Sequence, residues 1–128
     1  CIRDRMQFPA KREYIKAIRL AVSGIACNID YNVDEIEDLK ACVAEACILF
    51  LCRQASDGLE ITLGCDDAIR VSVRGTGNMK MCEECTDCTG FSEEISRLMI
   101  ESLSDDADFH EENGVLQEVT FSKKPMVQ

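Results

Sequence analysis

The sequence predicts an α+β fold: a two-layer sandwich with a mostly antiparallel mixed sheet and helices on one face. Three observations carry that expectation. Two segments of helical period follow one short strand; two pairs of alternating strands close on turn residues; and a third helical segment separates the pairs. At 128 residues the chain suits one core and leaves little room for a second.

Met6-Gln7-Phe8-Pro9 reads as a brief edge strand, because its proline has no N–H to give to a ladder. From Glu13 to Cys27, Tyr14, Ile18, Val22 and Ile25 recur at helical steps. Asn28-Ile29-Asp30 breaks that helix. Asn32 or Asp34 caps the second, and Glu35, Glu37 and Asp38 suit the positive end of its dipole. Ile36, Leu39, Val43, Ala46 and Phe50 form its apolar stripe. The run from Ala46 to Cys52 is apolar all round and must be surrounded by protein.

Ser56-Asp57-Gly58 turns the chain into Leu59–Leu63; Asp66-Asp67 turns it again into Ile69–Val73, giving a hairpin that ends at Gly75-Thr76-Gly77-Asn78. Residues 78–92 read as an irregular connection. A third helix is expected over Glu93–Leu103, capped by Ser92 or Thr89, with Ile95, Leu98, Met99 and Ser102 on its buried side. Ala107–Glu111 and Val115–Phe121 form a last hairpin around Asn113-Gly114. The expected organisation is one domain over 1–128, with a core of 6–122, a short cysteine loop at 78–92 and a tail at 123–128.

The formal charge is −10, from 24 acidic against 14 basic residues, so a phosphate backbone is repelled and direct nucleic-acid binding is not expected. The basic residues gather near the start, with Arg12, Lys16 and Arg19 along the first helix, a pattern suited to a protein partner or to a solvated face. No apolar run reaches the roughly 20 residues that span a bilayer, so no membrane association is expected. Residues Cys1–Met6 carry charge with no apolar stretch behind them, so no signal peptide is expected; opening on Cys, the chain reads as a fragment or a processed piece. Nine cysteines, an odd number, include Cys42, Cys47 and Cys52 among apolar neighbours, which points to buried free thiols and a cytoplasmic location.

Cys82-x-x-Cys85-x-x-Cys88 has spacers that let thiolates share a zinc ion or an iron–sulfur cluster, with Cys65, Cys1 or His110 as a fourth ligand. The same residues also suit redox-sensitive disulfide formation, or simply an acidic surface loop. Asp105, Asp106 and Asp108 read as a solvated helix end.

Several stretches resemble the GHKL ATPase superfamily, and within it the bacterial anti-sigma-factor serine kinases. They are Phe8-Pro9-Ala10-Lys11-x-Glu13-Tyr14, Ile18 to Ala26, Glu35-Ile36-Glu37-Asp38-Leu39-Lys40, Val43-Ala44-Glu45-Ala46-Cys47 and Ile100-Glu101-Ser102-Leu103-x-Asp105-Asp106. The resemblance implies a Bergerat-type fold, Mg-ATP as cofactor, and serine phosphorylation of an anti-anti-sigma protein beside sequestration of a sigma factor. It also implies a homodimer, and contacts to protein partners from Arg19.

The resemblance places a general base at Glu45, a Mg²⁺-binding Asn where Leu49 stands, and an adenine-reading Asp-x-Gly where Gly75-Thr76-Gly77 stands. Leucine offers no oxygen to a hard cation, and glycine cannot hydrogen-bond adenine. The phosphate-cradling glycines at the start of the last helix are replaced by Ser92-Glu93-Glu94-Ile95-Ser96-Arg97. These three departures predict a regulator that acts by binding a sigma factor or an anti-anti-sigma protein, without a cofactor. In that reading Ile48 to Leu51 fill the old nucleotide cleft, and Glu45 is a vestige. The alternatives are an active kinase with Glu45 as base, and a metal- or redox-sensing module built on Cys82–Cys88.

Overall fold

A computed structural model describes residues 2–29, 31–51, 54–78, 80–81 and 90–125. It contains β1 (Ile2–Pro9), a 3-10 turn (Arg12–Tyr14), α1 (Ile15–Cys27), α2 (Val33–Ile48), β2 (Gln54–Ala55), β3 (Gly58–Cys65), β4 (Ile69–Thr76), β5 (Lys80–Met81), α3 (Gly90–Leu103), β6 (Asp106–Glu112) and β7 (Val115–Lys123). Five strands form one sheet in the order β1-β3-β4-β7-β6, and β2 pairs with β5 apart from it. Every pairing among these strands is antiparallel. This is the α+β sandwich that the sequence predicts.

The strand expected over Met6–Pro9 begins earlier, at Ile2, and does lie at the sheet's edge. The connection expected to be irregular contributes β5, which pairs Gln54 with Met81 and Ala55 with Lys80. In β4, flanked by strands on both sides, Ile69, Val71 and Val73 are buried while Arg70 and Arg74 are exposed on the open face. That alternation gives the sheet one dry face and one wet face. Asn113 and Gly114 have φ of 55° and 77°, as the two centres of a hairpin turn of the mirror-image type require. A register shift follows between His110 and Glu111, which pair with Glu118 and Leu116 respectively. The unpaired Gln117 is a bulge, and it lets Leu116 and Val119 both face the core despite their odd spacing.

The start of α2 is a reciprocal capping box. Asn32 Oδ1 accepts from the Glu35 N–H at 2.8 Å, and Glu35 Oε1 accepts from the Asn32 N–H at 2.9 Å. Of the two expected caps, Asn32 is therefore the one used. Leu39, Cys42, Val43, Ala46 and Cys47 all reach the core from α2, and Ile18, Val22 and Ala26 reach it from α1. After Ile48 the helix tightens into turns, with Phe50 N–H donating to Cys47 O at 3.0 Å and Leu51 N–H to Ile48 O at 3.1 Å. Phe50 is fully buried.

Two polar clasps hold the helices on the sheet. The Tyr31 hydroxyl donates to the Lys123 carbonyl and accepts from the Ile69 N–H at 2.7 Å, and burial pushes its pKa up from 10.0. Lys123 Nζ donates to Leu103 O at 2.9 Å and pairs with Asp38 Oδ2 at 3.2 Å. A cation on the last carbonyl of α3 is favoured by the negative end of that helix.

Candidate functional site

The seam between α2 and α3 holds the most informative of the residues singled out by sequence. Glu45, partly exposed, projects from α2, and the Ser96 hydroxyl of α3 donates to its Oε1 at 3.2 Å. Ser96 is itself buried, so this contact satisfies a hydroxyl that would otherwise be stranded. One turn further along α3, the Ile100 carbonyl accepts from the Cys42 thiol at 3.9 Å and from the Ser104 hydroxyl at 2.6 Å. Arg97 fastens one flank of α3 to β6: its guanidinium reaches Glu111 Oε1 at 3.0 Å and Glu93 Oε1 at 3.3 Å, and lies 4.9 Å from the Phe109 ring centre.

These contacts overturn the expected orientation of α3. Ser96 and Ile100 are buried, whereas Ile95, Leu98, Met99 and Ser102 are exposed. Helical spacing allows either stripe to face inward; the groups waiting on α2, Glu45 and Cys42, select the one bearing serine. The helix also begins earlier than expected, at Gly90, so Ser92 lies inside it and does not cap it, and Thr89 falls outside the described residues.

Leu49 closes the C-terminal end of α2 and is only 7% exposed, packed into the same core as Phe50. Gly75 and Gly77 sit at the end of β4. Gly77 has φ of 78°, and a Cβ there would lie 2.6 Å from Asp57 Oδ2, so conformation and space both require glycine. The same Asp57 oxygen accepts from the Asn78 N–H at 3.0 Å, and Asp57 N–H donates to Thr76 O at 3.1 Å. Ser56 N–H donates to Phe50 O at 3.1 Å, so one chain of hydrogen bonds links the end of α2 to the end of β4.

The structure thus brings the ends of α2 and β4 to one end of the molecule. Gly75 and Gly77 line an open hollow of about 570 Å³ with Arg74, Asn78 and Asn113, and neither Glu45 nor Leu49 lines it. Asp57 and Ser96 are the residues that motif reading passed over. The signal for Ser96 is the stripe Ser96–Ile100–Leu103, which has helical spacing too; Asp57 carries no pattern of its own.

Arg12 and Lys16 are exposed on the 3-10 turn and α1, beside a half-buried Arg19 whose Nε is buried without a hydrogen-bond partner among the described residues. Cys82, Cys85 and Cys88 lie outside the described residues. Of the ligands suggested to join them, His110 Nε2 lies 3.3 Å from Glu112 and Cys65 is partly exposed; Cys1 is likewise not described. No group of three metal-ligating side chains occurs among the described residues. Cys42 and Cys47 are free and buried as expected, and burial pushes both thiols up to about 12, which keeps them protonated near neutrality. Cys52 is not described. No helix among the described residues is long and apolar enough to cross a membrane.

A helical layer on an antiparallel sheet, with a carboxylate from the second helix at its seam with the last, defines a two-layer α+β domain. No protein-family model matches the chain. Serine-protein kinase RsbW of Halalkalibacterium halodurans is 31% identical over an alignment of 129 residues, which covers 90% of this chain and 80% of that relative. The chain belongs to the family of RsbW serine-protein kinases. Serine-protein kinase RsbW of Bacillus licheniformis is 57% identical over 42 residues, and that of Bacillus subtilis strain 168 is 55% identical over 42. Each of these two matches covers 33% of this chain, and the matched stretch spans about a quarter (26%) of the relative.

Proposed function

We propose that this chain is a GHKL-fold regulator of the RsbW type that binds a sigma factor or an anti-anti-sigma protein and has given up ATP turnover. The observation that carries the reading is the Ser96–Glu45 hydrogen bond of 3.2 Å. The carboxylate at the family's general-base position is engaged by a hydroxyl of the very helix whose glycines would cradle phosphates. Leu49, at the Mg²⁺-ligating position, is sunk in the core and brings no oxygen donor. Glu93 at the start of α3 is paired with Arg97, and Glu94 is exposed; both add negative charge where a triphosphate would lie.

Partner binding falls to the basic stripe of Arg12, Lys16 and Arg19. Arg12 and Lys16 are exposed there, and the half-buried Arg19, whose Nε has no hydrogen-bond partner among the described residues, adds a guanidinium suited to a partner's carboxylate. Homodimerisation belongs to the same proposal, whereas a metal- or redox-sensing module built on Cys82, Cys85 and Cys88, which lie outside the described residues, is an alternative to it.

A second reading, an active serine kinase, is favoured by the retention of Glu45 itself in a partly exposed position. Calorimetric titration of the reduced chain with Mg-ATP, with metal assayed in the same sample, separates the two. Our expectation is no binding at micromolar ligand. Micromolar binding, with phosphoryl transfer to an anti-anti-sigma protein that disappears in Glu45→Ala, overturns the proposal in favour of the kinase.

A further inference from the structure

We infer that the outward face of α3 is a second docking surface, built for an amphipathic helix of another protein that carries basic residues along one edge. Five large apolar side chains are exposed among the described residues, and three of them, Ile95 (40%), Leu98 (61%) and Met99 (37%), share this one face. Residues three and four apart are neighbours on a helix, so the three form one contiguous stripe rather than scattered exposures. The stripe is not a failed core. The opposite side of α3 already supplies Ser96 and Ile100 to the interior, and Arg97 fixes the helix through Glu111 and Phe109. With its inner face committed, α3 presents an outer apolar face with no partner among the described residues.

Charge selects the occupant. Glu94 and Glu101 are both exposed, and neither has an ion-pair partner among the described residues. Seven residues apart on a helix of 3.6 residues per turn, they fall within about 20° of one another around the axis and about 10.5 Å apart along it. Both lie on the Leu98 side of the stripe, so the apolar face has one acidic border. An incoming helix that lays apolar residues at i, i+3 or i+4 and i+7 onto Ile95, Leu98 and Met99 meets that border with one edge. Lys or Arg spaced seven apart on that edge would face Glu94 and Glu101. This surface is separate from the basic stripe on α1, and its existence does not depend on whether nucleotide binds.

Two synthetic amphipathic peptides of about 18 residues test the inference. Both carry a leucine stripe, one bordered by lysines and the other by glutamates. Fluorescence anisotropy with the whole chain is expected to show the lysine peptide binding at least about tenfold more tightly than the glutamate peptide, with affinity falling as salt rises. Leu98→Ser and, independently, Met99→Gln should each weaken the lysine peptide, Leu98→Ser by about tenfold or more. Val33→Ser, at an exposed apolar residue far along the sequence on α2, should leave binding unchanged, and this control separates the α3 face from general attraction to an acidic protein. Glu94→Gln with Glu101→Gln should flatten the salt dependence. Equal affinity for both peptides, no binding of either, or binding indifferent to Leu98→Ser and Met99→Gln overturns the inference. So does sedimentation equilibrium in which Leu98→Ser turns a dimer into a monomer, which would make the face a contact between copies.

Discussion

Helices α2 and α3 lie side by side and follow opposite rules. In α2 and the turns after it the expected apolar stripe goes inside: Leu39, Val43, Ala46 and Phe50 are buried and Ile36 packs partly buried against the same core, joined by Cys42 and Cys47. In α3 two stripes compete, and the one containing a serine goes inside while Ile95, Leu98 and Met99 stay outside. Hydrophobicity alone ranks the stripes the other way. The neighbours fit the buried stripe: Glu45 accepts from the buried Ser96 hydroxyl, the Cys42 thiol meets the Ile100 carbonyl, and Lys123 grips the Leu103 carbonyl. A helix that packs on an already formed element is oriented by that element's polar groups as well as by its own apolar content.

The largest effect that would break this contrast belongs to the end of α2. Phe50 is fully buried and its carbonyl accepts from Ser56, so it ties the helix to the first turn of the sheet. Phe50→Ala is expected to lower unfolding free energy by about 3–5 kcal/mol in urea titrations, the cost of losing a buried aromatic and leaving a cavity. A loss below about 1 kcal/mol would mean that the all-apolar run is not core, and with it the view that this segment fills the old cleft.

A smaller effect comes from Cys47 in the same buried stripe. Its thiol is raised from 9.0 to about 12 by burial. Between those values the unfolded chain has released the proton and the folded chain has not, so stability falls as pH rises. The contribution is fully present below pH 9 and gone above about 12. Stability measured from pH 8 to 10.5 should decline less steeply in Cys47→Ala than in the wild type; identical slopes would show that the thiol is not shielded as α2 places it.

The same contrast explains what sequence could and could not deliver. The strands and hairpins were legible because alternation and the Asn113-Gly114 turn are local signals, and β3, β4, β6 and β7 all run slightly beyond the limits they set. The capping of α2 was legible to within two candidate residues. Glu45, Leu49, Gly75 and Gly77 were legible as positions through the family resemblance. Their surroundings were not: the Ser96 contact to Glu45 joins residues 51 apart, and the Asp57 contact to Asn78 joins residues 21 apart. Such pairs exist only once the chain is folded, and no periodicity announces them. The orientation of α3 failed for the same reason, since its partners lie on other elements, Glu45 and Cys42 on α2 and Lys123 on β7.

Leu98 gives the smallest expected effect and the sharpest use of the contrast. If α3 were turned as its hydrophobicity suggests, Leu98 would be a core residue, and Leu98→Ser would cost several kcal/mol through lost burial and an unsatisfied hydroxyl. In the observed orientation it is 61% exposed, and serine at that place meets water. Surface substitutions away from caps and networks usually fall within about 0.5 kcal/mol. Denaturant unfolding of Leu98→Ser is therefore expected to match the wild type within about 0.5 kcal/mol, with an unchanged m-value. A loss above about 2 kcal/mol would place Leu98 inside, release Ser96 from Glu45 and remove the outward stripe, because a helix cannot bury both faces against one neighbour. That single measurement bears on the seam, the docking face and the proposed loss of ATP turnover together, since all three depend on which side of α3 faces α2.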